Sequence, residues 1–316
     1  MYRKTARLAL SIGLLAAGAQ WSLAQETQYP VTIQNGPYSF TVDQPPQRVI
    51  SLNAPTTEIL LTLGLGDVMV GTAYNNYPVR EQNQEAFDRI PVLAERIPSL
   101  EVVLGAEPDF TFGRETSYRE SAMATIETLQ SLGITAMVVE GNLASPTTMT
   151  EVYNDIRNLG IIFDIQPRAE ALIAELQTEI EEVGSIVSQA SEPVDVLVYD
   201  SGTESLFTAG TALETHLIAL AGGRNVFDDL ETPWGSVSWE EAVERNPDVI
   251  VINDYDETSA DEKRRFLEEN EALSSITAIR EGRFVVVPLP GVHEGTRNAD
   301  TVRRFAEGFY PELFDQ

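Results

Sequence analysis

Between residues 166 and 189 the chain reads QPRAEALIAELQTEIEEVGSIVSQ, and its apolar residues, Ala169, Leu172, Ile173, Leu176, Ile180, Val183 and Val187, recur in steps of three and four. That period marks one face of a helix. Pro167 suits a first helical position, where its missing N–H costs nothing, and Pro193 stands beyond the far end, where a helix stops. Gly184 weakens the interior by about 1 kcal/mol relative to Ala, less than the roughly 1.5–3 kcal/mol contributed by each buried Leu or Ile. At 1.5 Å per residue the helix is a rod of about 35 Å, long enough to join two halves of a molecule.

On either side of it, short apolar runs alternate with amphipathic ones. Residues 29–42 read as a hairpin around Asn35-Gly36. Strands are expected at 48–52, 68–71 and 135–139, helices at 55–66, 116–132 and 147–159, and a short helix running into a strand over 99–113. Beyond the long helix the pattern restarts. It gives a strand at 194–200, a helix at 212–221 stopped by Gly222-Gly223, a helix running into a strand over 238–254, a helix at 261–269, a strand at 283–288 and a last helix at 298–309. Strand–helix alternation with short connections predicts mostly parallel sheets covered on both faces. The expected fold is therefore α/β: a Rossmann-like lobe over 25–160, a rigid connecting helix within 161–192 and a second Rossmann-like lobe over 193–316.

The first residues have another character. Arg3, Lys4 and Arg7 precede an apolar run at 8–19 and then Ser22-Leu23-Ala24. This is the pattern of a signal peptide cut after Ala24, and the run is too short for a membrane anchor. The sequence contains no cysteine, which excludes disulfides, thiolate catalysis, cysteine-bound metal and a lipid-modified cysteine. A soluble, unlipidated periplasmic protein is expected. The net charge of −28 argues against nucleic acid and anionic membranes as partners. Two histidines are too few for capture of bare zinc or manganese. No nucleophile elbow, phosphate loop, metalloprotease helix or dinucleotide fingerprint is present, so no catalytic residue is expected. A carboxylate-based hydrolase and a ligand-sensing partner are the competing classes.

Two segments share a frame: SLEVVLGAEPDFTF from Ser99 and SWEEAVERNPDVIV from Ser238. In each, a serine N-cap is followed by a glutamate in the first helical turn, Glu101 or Glu240, where the helix dipole favours a negative charge by about 0.3–1 kcal/mol. One matched carboxylate per half suggests a shared partner. Together with RVISLNAPTTEILLTLGLGDVMVGTA, AGGRNVF and RFVVVPLPG, these segments resemble the class III substrate-binding proteins of ABC importers, which carry ferric siderophores, haem and vitamin B12. The resemblance spans about 47–309. It implies two lobes bridged by one long helix, a ligand cleft between them, no intrinsic cofactor, a monomer, and docking of Glu101 and Glu240 onto an inner-membrane permease.

In open α/β sheets, ligands sit beyond the carboxyl ends of the strands. The residues expected there are Asn53, Tyr74, Asn75, Arg114 and Tyr118 in the first half, with Asp200, Trp234, Tyr255, His293 and Arg297 in the second. Arg114 offers a planar, permanently charged fork of donors and matches an arginine with which some family members neutralise anionic chelates. Asp200, Asp254, Asp256 and Glu294 sit awkwardly with a highly anionic ligand. The cargo expected is an Fe(III)–siderophore of hydroxamate or mixed type, with a corrinoid or haem as the alternative.

Overall fold

The computed structural model describes residues 26–255 and 258–314. The expected signal segment and Asp256 lie outside the described residues. A hairpin of β1 (Val31–Asn35) and β2 (Tyr38–Val42) leads into the first lobe: β3 (Val49–Ser51), α1 (Ala54–Thr62), β4 (Met69–Ala73), α2 (Glu81–Phe87), β5 (Val92–Ala94), α3 (Leu100–Gly105), β6 (Phe110–Gly113), α4 (Ile126–Ser131), β7 (Thr135–Val138) and α5 (Met149–Ile162). Its sheet is parallel throughout, in the order β5-β4-β3-β6-β7. The hairpin is fastened to the outer strand β7 by one side chain. The Asn35 amide donates to Val138 O at 2.9 Å and accepts from Val138 N at 2.8 Å, giving an edge strand the pairing that would otherwise stay open.

The connector α6 (Gln166–Val187) buries Ala169, Leu172, Ile173, Leu176, Ile180 and Val183, the face that the periodicity marks. The second lobe follows with β8 (Val194–Tyr199), β9 (Leu206–Ala209), α7 (Leu213–Leu220), β10 (Gly223–Asn225), β11 (Trp234–Val237), α8 (Trp239–Arg245), β12 (Val249–Asp254), α9 (Ala260–Glu269), α10 (Thr277–Glu281), β13 (Phe284–Pro288), α11 (Asn298–Phe309) and α12 (Pro311–Phe314). Its sheet is parallel in the order β10-β8-β12-β13, and β9 pairs with β11 antiparallel.

The helix α6 packs on α5 of the first lobe and on α11 of the second. At the α5 contact, a Cβ on Gly160 would stand 2.7 Å from that of Ala169; only glycine lets the two helices approach this closely. One hydrophobic core runs through the joint. It includes Ile59, Leu60, Val152 and Ile156 on one side, Leu172 and Leu176 on the helix, and Leu217, Val302 and Phe305 on the other.

Residues 116–132, expected as one helix, are not continuous. A single 3-10 turn at Glu115–Ser117 ends the first piece, and Thr125 starts α4 afresh by accepting from Thr128 N at 3.2 Å. The break turns Tyr118 inward. It is 6% exposed and packs in the first-lobe core.

Candidate functional site

Because all strands within each main sheet are parallel, their carboxyl ends gather at one edge of each lobe. Arg114 follows β6, Asn142 follows β7, and His293 lies just beyond β13. These ends face one another. Arg114 Nη1 lies 3.1 Å from His293 Nε2, and Asn142 Nδ2 donates to Glu294 Oε1 at 3.4 Å. Asn142 also orients the arginine, its Oδ1 accepting from Arg114 Nε and from Glu115 N, both at 3.3 Å. Further along the seam, Thr147 N donates to Thr211 O at 2.9 Å, and the hydroxyls of Ser145 and Thr211 meet at 2.8 Å.

These contacts enclose a cavity of about 190 Å³ bordered by Arg114, Asn142 and Thr147 from the first lobe and by Trp234, His293 and Glu294 from the second. Trp234 is held in β11 and stacked on Phe207, with ring centroids 5.9 Å apart. A smaller chamber of about 50 Å³ lies on the other side of the Arg114–His293 pair, bordered by Asn53, Pro55, Tyr74, Asn76, Leu289 and Pro290. Arg114 and His293 border both chambers, so their contact is a partition within one cleft. Burial and the neighbouring Arg114 charge hold the His293 imidazole well below the usual histidine range. The neutral ring accepts the guanidinium N–H at Nε2, which leaves its proton on Nδ1. The wall of the larger chamber thus holds one guanidinium, Arg114, and two carboxylates, Glu115 and Glu294, of which Glu115 is paired with Arg119 outside it.

Residues 49–289 match the periplasmic binding protein family. The chain belongs to that family. It is a substrate-binding protein and not an enzyme. An ABC transporter substrate-binding lipoprotein of Bacillus subtilis, YvrC, is 28% identical over 299 residues, which is 92% of this chain and 90% of that one. The vitamin B12-binding protein of Yersinia pestis is 27% identical over 212 residues, covering 66% and 70% of the two chains. Among solved structures, a periplasmic binding protein from Veillonella parvula superposes with a TM-score of 0.82 at 30% identity, over 87% of this chain and 94% of that one. A protein of the ABC-type Fe3+-hydroxamate transport system of Saccharomonospora viridis gives 0.77 at 25% identity, over 89% and 99%.

Within this periplasmic binding protein, half of the expected ligand residues border the cleft. Arg114, Trp234 and His293 border the larger chamber, and Asn53 and Tyr74 the smaller one. Tyr74 does so from a left-handed backbone conformation, φ 53°, uncommon outside glycine and asparagine. The amide oxygen of Asn53 is already engaged, capping α1 through Thr56 N at 2.9 Å.

The other five are used differently. Asn75 donates to Thr72 Oγ1 at 2.8 Å and borders neither chamber. Tyr118 is a core residue whose hydroxyl donates to Met137 O at 3.1 Å. Asp200 and Tyr255 pair with each other, the phenol donating to Oδ2 at 2.7 Å. Arg297 holds Glu58 of α1 and donates to Pro78 O at 2.7 Å. Asn142 and Thr147 were not anticipated. Asn142 follows a strand end just as Arg114 does, so the same rule finds it.

Both Glu101 and Glu240 are exposed in the first turns of α3 and α8. Ser99 accepts from Val102 N at 3.4 Å and Ser238 from Glu241 N at 3.1 Å. Each helix directly precedes a parallel strand, β6 after α3 and β12 after α8.

Proposed function

We propose that this protein captures an iron–siderophore chelate of low net charge, hydroxamate or mixed type, in the interlobe cleft and delivers it to the permease of an ABC importer. The observation that carries the reading is the balance in the larger chamber: one guanidinium, Arg114, beside Glu115 and Glu294, with the Trp234 ring in the same wall. A multiply anionic chelate would bring its charge against the buried Glu294 carboxylate, with Arg114 the one arginine in that wall. A chelate with few charges finds a fork of donors for one oxygen edge and an aromatic surface for its body. The likeness to the Fe3+-hydroxamate transport protein of Saccharomonospora viridis supports the same class. The iron travels as cargo, with no cofactor of the protein's own.

On this reading the lobes 25–160 and 193–316 present the cleft, with the helix within 161–192 between them. Glu101 and Glu240 set the register on permease cations, a screened contact better suited to steering than to raw affinity. Lacking any cysteine for lipid attachment, the protein works as a free monomer in the periplasm once residues 1–24 are removed. A corrinoid is the second reading, favoured by Trp234 in the cavity wall and by the Yersinia relative.

The test is a titration followed by tryptophan fluorescence, using ferric hydroxamates, ferric catecholates, ferric citrate, haem and cobalamin. Saturable quenching by a ferric hydroxamate or mixed chelate at submicromolar concentration is expected. Response to cobalamin alone moves the function to the second reading, and tight catecholate binding contradicts the charge argument.

A further inference from the structure

Among the described residues of the second lobe, three buried side-chain oxygens have no hydrogen-bond partner, and two of them, Glu214 Oε1 and Asn253 Oδ1, belong to neighbouring side chains. Both residues are completely buried, at 0% exposure. The two side chains are already joined, since Asn253 Nδ2 donates to Glu214 Oε2 at 3.0 Å. The amide is not reversed, because its nitrogen also lies 3.4 Å from Asp200 Oδ1 and a reversed oxygen would face two carboxyl groups. A buried acceptor with no donor is destabilising. Two of them on one bonded pair call for a common remedy.

We infer that Glu214 is a carboxylic acid in the native protein, its proton held on Oε1 and donated to Asn253 Oδ1, so that acid and amide close a ring of two hydrogen bonds. A single proton satisfies both atoms. The charged neighbours leave no other remedy in place. Asp200, at the end of β8, is itself an acceptor, taking the hydroxyls of Tyr255 at 2.7 Å and Ser201 at 3.0 Å. Lys263 of α9 directs its ammonium to Asn253 O and over the Tyr255 ring, 4.0 Å from its centroid. Asp254 of β12 accepts from Ala260 N at 2.9 Å. His216, further along α7, borders a separate hollow beside Glu181. Burial, with Asp200 adding to it, pushes Glu214 up to about 8.

The position gives the proton a task. Glu214 lies in the first turn of α7, directly after Ala212 and Leu213, which border the larger chamber. Asp200 and Asn253 belong to the ends of the two central strands, β8 and β12. The acid–amide ring thus ties a wall of the cleft to the sheet beneath it. Ionisation sets a carboxylate against Asp200 and loosens that wall. This holds whichever cargo the cleft takes.

Infrared spectroscopy of the full chain tests it, because a protonated carboxyl absorbs well apart from carboxylates. At pH 7 the wild type should show protonated-carboxyl absorption with a component that Glu214→Gln removes and that Asp155→Asn, at the other strongly raised carboxyl, leaves in place. That component should titrate away near the value of about 8. Glutamine keeps the ring, since its amide donates where the acid did. The variant should therefore melt at or above the wild-type temperature at pH 7 and lose the fall in Tm that the wild type shows between about pH 4.5 and 8. A wild type with no protonated-carboxyl band at pH 7 overturns the inference even if the variant does not fold. So does a Glu214→Gln protein whose protonated-carboxyl absorption equals that of the wild type, or that keeps the fall in Tm.

Discussion

Arg297 of the second lobe holds one oxygen of Glu58 in the first lobe from two sides, with Nε at 2.9 Å and Nη2 at 2.7 Å from Oε2. The first lobe returns the contact. Arg80 bonds Glu58 Oε1 at 2.9 Å, then crosses to Asp300 Oδ2 at 2.7 Å and Thr296 O at 2.8 Å. The Glu58 side chain is only 5% exposed and that of Arg297 20%, so this pairing differs from the solvated surface pairs worth about 0–1 kcal/mol. Each lobe contributes an arginine that ends on the other. The network joins the two lobes across the seam.

Removing one partner leaves a buried charge poorly compensated, a change that costs about 3–5 kcal/mol in well-buried pairs. Because Arg80 remains, Arg297→Ala should lose about 3 kcal/mol, read as a lower urea midpoint at an unchanged slope. Glu58→Gln should weaken the protein similarly. The double variant should lose less than the two single losses together, since both act on one pair. A loss below about 1 kcal/mol for each would place the network with ordinary surface pairs.

Arg114 lies in the cleft and not in the core, so Arg114→Ala should leave the urea midpoint nearly unchanged. It should weaken ferric chelate binding by about tenfold to a hundredfold, the scale of a lost charged hydrogen bond. Fluorescence titration of both proteins with the same chelate decides it. Equal affinity would remove Arg114 from the site.

Gly141 borders the larger chamber where space is shortest. A Cβ there would stand 2.6 Å from Glu294 Cγ and 2.8 Å from Thr147 Cγ2. Crowding of this kind costs about 1–3 kcal/mol, so Gly141→Ala should fold, melt somewhat earlier and bind cargo poorly. Wild-type affinity in that variant would mean the ligand sits elsewhere.

Charge reversal at both Glu101 and Glu240 should abolish uptake in a transport assay while ligand affinity stays at the wild-type level. Each single reversal should give a partial loss. Normal transport by the double variant would sink the docking role.

Asp155 is completely buried and accepts from Glu140 N through both oxygens, at 3.2 and 3.0 Å. Burial, then the Glu140 and Glu294 charges, raise its carboxyl well above the usual range. The folded chain therefore keeps this proton at pH values where the unfolded chain has lost it. The stability it contributes is complete below about pH 4 and is lost as pH rises toward the folded value. Asp155→Asn should be more stable than the wild type at pH 8 and indistinguishable from it near pH 4. Urea midpoints at the two pH values measure this, and a stabilisation of equal size at both would contradict the sign.

Much of the fold is legible from local pattern, because α6 carries its buried face in a regular stripe and the caps at Ser99 and Ser238 announce their helices. The break at 116–132 is not, since it depends on Tyr118 finding a place between β6 and β7. The short strands β9 and β11 carry too few residues for a period to show. In the cleft, Arg114, Trp234 and His293 follow from residue type and position at strand ends. Arg297 does not, because its partner Glu58 lies 239 residues away, and sequence distance hides which of two roles an arginine takes. The same blindness conceals Glu214, whose meaning depends on an amide 39 residues further on.

The hydrophobic core that passes from the first lobe through α6 into the second bears on how the protein comes apart. Melting either lobe would strip the apolar stripe of α6 on that side and expose Leu172 or Leu176 to water. Each lobe has a smaller cluster of its own, but both share the cluster that runs through α6. The protein should therefore denature in one cooperative step, with calorimetric and van't Hoff enthalpies in agreement, and a lobe produced alone should lack a stable native state.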